Sequence, residues 1–186
     1  MLGWVHIMSI LAIDTAASRT SVVVIENGKV VFNEFRAGAM SHGPALPELV
    51  QAAIKNREIT EVLVGMGPGP YTGLRVGITF AQTFAWARNI PVRGFCSLDA
   101  IASQVPDSDF IVAIDARRKE VYWARYTNGV RVEGPAVDLP AVVAARGIKV
   151  VSDLVPDPQF FTSLNNEVSE PIYLRRPDAV ATADRK

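Results

Sequence analysis

The sequence predicts an α/β protein of two lobes, each running β-β-β-α-β around a mixed sheet, with a truncated second lobe. The first observation is that a strand, an acidic residue and an Asn-Gly turn recur at a constant offset of 101 positions, so that Asp14 corresponds to Asp115 and Asn27-Gly28 to Asn128-Gly129. The second is that each such series precedes a helical pattern and a further strand. A duplicated lobe explains both observations.

The first lobe is predicted over residues 8–106. A buried strand over 10–14 leads into a hairpin over 22–25 and 29–32, whose Asn27-Gly28 supplies the positive φ angles of a type I′ turn. A helix follows from Pro44, whose fixed φ suits a first helical turn. Its apolar stripe is Leu46, Leu49, Val50, Ala53 and Ile54, and a strand over 61–66 comes next.

The second lobe is predicted over residues 107–186. Its strands are expected over 111–115, 121–124, 130–132 and 148–151. Asp138 is expected to cap a helix over 139–146 that Gly147 ends. The tail from Pro177 is rich in Ala, Asp and Arg and is expected to fray.

Composition excludes several classes of function. The 186 residues include 19 basic and 19 acidic side chains, so the chain lacks the positive charge of a protein that neutralises many phosphates, and any nucleic-acid role is indirect. One cysteine, Cys96, and two histidines, His6 and His42, cannot form a structural zinc site or a disulfide. Cys96 is expected to be a small buried apolar residue.

The chain carries no feature of membrane insertion or export. No apolar run approaches the roughly 20 residues of a spanning helix, and residues 1–7 lack the basic start and cleavage site of a signal peptide. We therefore expect a cytoplasmic protein in which residues 1–7 are either an extended start or not native.

Residues 67–77 read Gly-Pro-Gly-Pro-Tyr-Thr-Gly-Leu-Arg-Val-Gly and superficially resemble a phosphate-binding loop. Such a loop needs successive backbone N–H donors, whereas Pro68 and Pro70 each remove one. The spacing also fits neither a Walker pattern nor Gly-x-Gly-x-x-Gly. The pattern favours a rigid elbow between a strand and a helix.

Thr72 is the predicted N-cap of a helix over 73–88 that is apolar on almost every side. One stripe can cover the sheet, and a second apolar face then needs another cover. That cover is either a partner protein or the other lobe of the same chain. The first stripe is Leu74, Ile78, Ala81 and Ala85, and the residues off it are Val76, Phe80 and Ala87.

Two lobes of this order resemble the actin, sugar-kinase and Hsp70-type (ASKHA, ribonuclease H-like) superfamily, which places phosphate-handling turns after the first strand of each lobe. The candidates for nucleotide or anion turns are Asp14, Thr15, Ser18 and Thr20 in the first lobe, and Asp115, Arg117 and Arg118 in the second. The alternatives are an ordinary polar turn and a solvated or inter-lobe ion pair. Ser18 and Ser21 have no nearby histidine in the sequence, which gives a serine hydrolase little support.

Five segments in this order resemble the TsaB family, formerly YeaZ. The most specific is residues 67–77, and the first and last of the segments lie at residues 10 and 175, so that together they span nearly the whole chain. They are residues 10–15, 67–77, 97–102, 115–122 and 171–175.

The resemblance implies a non-catalytic subunit of the complex that makes threonylcarbamoyladenosine (t6A) on tRNA, next to the anticodon. It implies binding to a TsaD-like catalytic subunit, cooperation with a TsaE-like ATPase, indirect contact with tRNA, and a homodimer as one state of the isolated protein. Helices over about 44–57 and 73–88 would form the interface. The implied partner-binding residues are Leu46, Leu49, Val50, Tyr71, Thr72, Leu74, Arg75, Val76, Thr79, Phe80 and Thr83.

The sequence also lacks the His-x-x-x-His metal pair of TsaD-like proteins, because His42 stands alone. We therefore expect no catalytic residue, no metal and no tightly bound cofactor, with ATP and Mg²⁺ held only through the partner complex. The alternative functions are a small ASKHA-type ATP-dependent phosphotransferase and, more remotely, a glycoprotease-like peptidase.

Overall fold

A computed structural model describes residues 8–38, 42–164 and 167–175, so the predicted leader 1–7 and the tail from Pro177 lie outside the described residues. The strands are β1 (Ser9–Asp14), β2 (Arg19–Glu26), β3 (Lys29–Ala37), β4 (Glu61–Gly65), β5 (Val92–Phe95), β6 (Asp109–Asp115), β7 (Val121–Thr127), β8 (Val130–Asp138) and β9 (Val150–Val151). The helices are α1 (His42–Ala53), α2 (Tyr71–Arg88), α3 (Ser97–Ala102), α4 (Pro140–Ala144) and a 3₁₀ helix (Pro158–Ser163).

The first sheet has the strand order β3-β2-β1-β4-β5. β1 pairs antiparallel with β2 and parallel with β4, which makes β1 a central strand. Its continuous apolar run fits this position, because a central strand is covered on both faces. Leu11 and Ile13 point to the face that α1 and α2 cover, while Ile10 and Ala12 point to the other.

The second face of this sheet is closed by residues far along the chain. Ala100 of α3 and Phe161 of the 3₁₀ helix pack there, and the Phe161 ring lies 5.1 Å from that of Phe95. The sequence assigned everything after residue 106 to the second lobe. The packing shows that part of this region completes the core of the first.

The second sheet has the order β8-β7-β6-β9, which repeats the first without its fifth strand. Both hairpin turns are confirmed, with φ of 49° and 78° at Asn27 and Gly28 and 49° and 77° at Asn128 and Gly129. The predicted α/β architecture of two lobes with a truncated second lobe is therefore confirmed. The lobe boundary at 106/107 stays a prediction.

Local predictions in the second lobe were less accurate. Asp138 does not cap a helix, because it ends β8 and its carboxylate accepts a hydrogen bond of 2.9 Å from the Trp123 indole. Leu139 is the N-cap residue of α4, which is shorter than predicted. The last strand contains only Val150 and Val151. Within the described part of the chain, no helix is long and apolar enough to cross a membrane.

Candidate functional site

The turn that follows β1 packs directly beneath the start of α2. We call residues 65–77 the glycine segment. The glycines of this segment allow the close approach. A Cβ added to Gly69 would lie 2.5 Å from the Ala16 carbonyl oxygen, and one added to Gly65 would lie 2.8 Å from Cγ of Asp14. Real Cβ contacts are not that short, so the close packing requires glycine at both positions. The segment is an elbow, as predicted, and its glycines close the turn.

Asp14 has both carboxylate oxygens occupied within the chain. Oδ1 accepts a hydrogen bond of 2.6 Å from the backbone N–H of Ala16, and Oδ2 accepts one of 2.9 Å from the Ser97 hydroxyl. The residue is only 6% exposed, and this burial raises the pKa of Asp14, although its hydrogen bonds and Arg19 act in the opposite direction. The carboxylate is not directed at solvent.

The neighbouring hydroxyls are also used internally. Thr15 Oγ1 donates a hydrogen bond of 2.8 Å to the carbonyl of Gly73, and Thr20 Oγ1 shares one of 2.8 Å with Nδ1 of the buried His42. Burial lowers the pKa of His42, and the positive charge of Arg117 acts in the same direction. Sequence reasoning treated His42 as isolated, because nothing in the sequence pairs it with Thr20.

The corresponding turn of the second lobe is open. Asp115 is exposed, and its Oδ1 accepts a hydrogen bond of 2.9 Å from the backbone N–H of Arg117. Arg117, Arg118 and Lys119 are exposed and have φ of 59°, 54° and 63°, a left-handed conformation that is costly for residues with a Cβ. The two candidate anion turns therefore differ: the first is closed and the second faces solvent.

A cleft of about 360 Å³ lies between these turns. Ser18, the exposed member of the first set of candidates, lines it with Pro70, while Arg117 and Lys119 line it from the second lobe. Acidic side chains, Asp115 among them, lie on the same wall, so the charge of the cleft is mixed.

Among residues 8–38, 42–164 and 167–175, no group of three His, Cys, Asp or Glu side chains could hold a metal ion. Cys96 is buried, as predicted, and burial raises the pKa of its thiol to about 12.

Helix α2 begins at Tyr71, earlier than predicted. Pro70 is the N-cap residue and provides no side-chain hydrogen bond, so Thr72 lies in the first turn and does not cap the helix. The first predicted stripe is confirmed, because Leu74, Ile78, Ala81 and Ala85 are all buried. On the opposite face Thr72, Arg75, Thr79 and Thr83 are exposed.

Some of the predicted partner-binding residues are buried in this conformation. Leu46, Leu49, Val50 and Leu74 are at most 2% exposed, because they form the core between the helices and the sheet. In this conformation the side chains of these four residues are therefore not available for contact with a partner. The remaining candidates divide into the exposed Thr72, Arg75, Thr79 and Thr83 and the half-buried Tyr71, Val76 and Phe80.

The exposed face of α2 is more polar than the sequence suggested, and it includes an aromatic residue that sequence reasoning missed. Trp86 is 84% exposed and follows Thr79 and Thr83 at helical spacing, which was the available signal. The sequence of α2 contains no acidic residue, while Arg75 and Arg88 are cationic. We refer to Thr72, Arg75, Thr79, Thr83 and Trp86 as the α2 face.

Comparisons with known proteins agree with one another. Residues 39–158 match the family model described as TsaD: tRNA N6-adenosine threonylcarbamoyltransferase. An uncharacterized protein of Mycobacterium tuberculosis H37Rv is 38% identical over 94% of this chain and 95% of its own length. The TsaB protein of Escherichia coli K12, named for tRNA threonylcarbamoyladenosine biosynthesis, is 34% identical over 75% of this chain, which spans 66% of that relative.

The solved structure of YeaZ from Pseudomonas aeruginosa has the same fold. It superimposes with a TM-score of 0.71 and 21% sequence identity, covering 90% of this chain and 100% of that one. At this identity the likeness supports the two-lobed architecture alone.

Proposed function

Because this chain belongs to the TsaB (YeaZ) family, we propose that it is the non-catalytic subunit that binds and supports a TsaD-like catalytic subunit in t6A synthesis. The TsaD-like subunit would transfer the threonylcarbamoyl group to the adenosine 3′ of the anticodon. A TsaE-like ATPase would complete the complex, and tRNA would be reached through these partners. The balanced charge of the chain supports an indirect contact with tRNA.

The closed first turn carries the non-catalytic part of the proposal. In a phosphate-handling protein of this fold, the acid and hydroxyls after the first strand need access to a ligand. Here Asp14, Thr15 and Thr20 are hydrogen-bonded within the chain, and Asp14 and Thr15 lie directly against the glycine segment. A ligand could reach them only after several hydrogen bonds had been broken and the segment displaced.

The α2 face supports the partner-binding part. It lies on the open side of a helix whose other side is packed on the sheet, and it combines arginine with an exposed tryptophan, residue types enriched at interfaces. Since α2 carries cations and no acids, a partner surface with acidic residues would complement it. We propose in addition that ATP and Mg²⁺ are held only in the assembled complex.

Reconstitution tests the function. The purified chain should show no ATPase or peptidase activity alone, and it should restore t6A formation when added to a TsaD-like subunit, a TsaE-like ATPase and a threonylcarbamoyl-adenylate synthase. Quantification of the modified nucleoside by mass spectrometry measures this. A mixture that is equally active without the chain would refute the proposal.

Thr83→Glu tests the surface. Thr83 is exposed, so the chain should remain folded, whereas the added negative charge would be desolvated against an acidic partner. We expect binding of the TsaD-like subunit to weaken by about tenfold or more, which corresponds to about 1.4 kcal/mol. Val142→Glu is the matched control, because Val142 is 48% exposed on α4 of the second lobe. Equal affinities of the two variants would rule out the α2 face as the docking site.

A second candidate is an ATP-dependent phosphotransferase, and the cleft between the turns is the observation that favours it. Its volume of about 360 Å³ suits a small molecule, and Arg117 and Lys119 could contact phosphate. Calorimetric titration of the isolated chain with Mg-ATP decides between the candidates. Micromolar binding would favour the phosphotransferase, and no heat of binding would favour the non-catalytic subunit.

A further inference from the structure

Residues 167–175, which we call the strap, cross from the first lobe to the second beside the start of α2. The backbone N–H of Val168 donates to the Gly94 carbonyl at 3.0 Å, and that of Ile172 donates to the Met66 carbonyl at 2.8 Å. A Cβ on Gly94 would collide with the Val168 carbonyl oxygen, so this position needs glycine for the strap to pass. The strap is therefore fixed to the ends of β4 and β5.

The far end of the strap is fixed to the second lobe. Arg175 donates a hydrogen bond of 3.0 Å from Nη1 to the Ala116 carbonyl, and its guanidinium forms an ion pair with Glu120. Both partners belong to the turn between β6 and β7. The Arg175 side chain is 24% exposed, so solvent screens this ion pair only in part.

Between its two anchors the strap presents Tyr173 beside the α2 face. The Tyr173 ring lies 4.9 Å from the ring of Tyr71, the first residue of α2. Arg75 in turn lies over the Tyr71 ring at 5.4 Å and donates a hydrogen bond of 3.2 Å to its hydroxyl. Tyr173 remains 42% exposed, so the aromatic surface around Arg75 extends beyond the helix onto the strap.

We propose that Tyr173 is a partner-binding residue continuous with the α2 face, and that Arg175 is a positioning residue that holds it there. This inference rests on the proposed function, because the occupant of the surface is the TsaD-like subunit. Two features support it: tyrosine and arginine are enriched at the centres of interfaces, and Arg75 supplies a cation to a helix without acids, which an acidic partner would complement.

The anchoring also links the docking surface to the second lobe. Since Arg175 bonds to the turn that lines the cleft, a shift of that turn would move Tyr173 relative to Tyr71. The affinity for the partner would then depend on how the lobes are arranged.

The test is the affinity of the full chain for the TsaD-like subunit, measured by biolayer interferometry. Tyr173→Ala should weaken binding about tenfold, as truncation of a central aromatic does, while Tyr173→Phe should stay within about twofold of the parent chain. Arg175→Ala should weaken binding by a smaller factor. If Arg175 acts only through Tyr173, the double variant should bind no more weakly than Tyr173→Ala alone.

Phe35→Ala is the matched control, because Phe35 is 54% exposed on the edge strand β3, at the opposite side of the sheet from β5, and should leave affinity unchanged. An unchanged affinity for Tyr173→Ala overturns the inference and leaves the proposed function intact. Failure of the parent chain to bind any TsaD-like subunit overturns the proposed function itself. If Tyr173→Ala does not fold, hydrogen exchange of the parent chain decides, since the partner should slow exchange at residues 171–175. Exchange that is unaltered by the partner counts against the inference.

Discussion

The two lobes follow the same chain path, but the acidic residue after the first strand is buried in one lobe and exposed in the other. Asp14 is 6% exposed with both oxygens bonded, whereas Asp115 is exposed and bonds the backbone of its own turn. The strand, the acid and the hairpin are shared, so these features do not account for the difference. The turn residues themselves differ, with Thr-Ala-Ala-Ser after Asp14 and Ala-Arg-Arg-Lys after Asp115. In addition, the glycine segment covers the first turn, whereas after β9 the described chain continues with a 3₁₀ helix and no comparable glycine-led helix.

The largest expected effect comes from opening the first turn. In Gly69→Ala the added Cβ would meet the backbone of Ala16 at 2.5 Å, and backbone atoms cannot move away as a flexible side chain can. We expect a loss of about 3 kcal/mol in the free energy of unfolding, measured with urea. Gly43→Ala is the control, because a Cβ there meets nothing within 4 Å, and we expect a change of at most about 1 kcal/mol. Similar losses in both variants would show that the close packing has no special role.

A smaller effect is expected from giving the strand after the first turn a residue of the corresponding strand in the second lobe. Thr20 corresponds to Val121, so Thr20→Val removes the hydrogen bond with His42 and leaves a buried ring nitrogen unpaired. This should cost about 2 kcal/mol in the free energy of unfolding. The reverse change, Val121→Thr, should cost less than about 1 kcal/mol, because Val121 is half-buried and a hydroxyl there can reach solvent. Equal losses of unfolding free energy in Thr20→Val and Val121→Thr would mean that the buried hydrogen bond contributes nothing to stability.

The smallest expected effect is the pH dependence of stability that Asp14 confers. Burial raises the pKa of Asp14 in the folded state above its ordinary 3.8, so its contribution to stability is fully present below 3.8 and is lost as pH rises through the folded pKa. The asparagine side chain in the Asp14→Asn variant does not titrate. Lowering the pH from 7 to 4 should therefore shift the difference in unfolding free energy in favour of the parent chain.

Asp115→Asn provides the comparison. The amide oxygen can accept the same hydrogen bond from the Arg117 N–H, and the side chain is exposed. We expect a change within about 0.5 kcal/mol at pH 7. If the difference in unfolding free energy between the parent chain and Asp14→Asn did not change with pH, the expected direction of the Asp14 pKa shift would be contradicted. A large loss for Asp115→Asn would mean that the second turn carries more of the stability than its exposure indicates.

The sequence predicted those features that depend on neighbours along the chain. Strand-like apolar runs and the Asn-Gly dipeptides located both hairpins, and the constant offset revealed the repeat, because turn geometry and strand pairing are local. Helix α2 and its buried stripe were also predictable, since helical spacing alone places Leu74 and Ile78 on one face.

Features that depend on distant segments were not predictable. Ser97 bonds to Asp14 across 83 positions, and nothing in either segment indicates that partner. The same holds for Thr20 with His42 and for the path of the strap. Four predicted contact residues proved buried because spacing identifies an apolar face and does not say what covers it. The glycines of residues 65–77 gave one usable signal, since repeated glycine indicates close backbone approach.

The return of the chain to the first sheet has a consequence for synthesis. Phe161 closes one face of that sheet and Val168 packs on the other, so residues near the end of the described chain complete a core that begins at β1. A ribosome releases β1 to β5 long before those residues. During this interval part of the apolar surface of the nascent first lobe stays uncovered. Chaperones would therefore recognise the chain during its synthesis more readily than after it has folded.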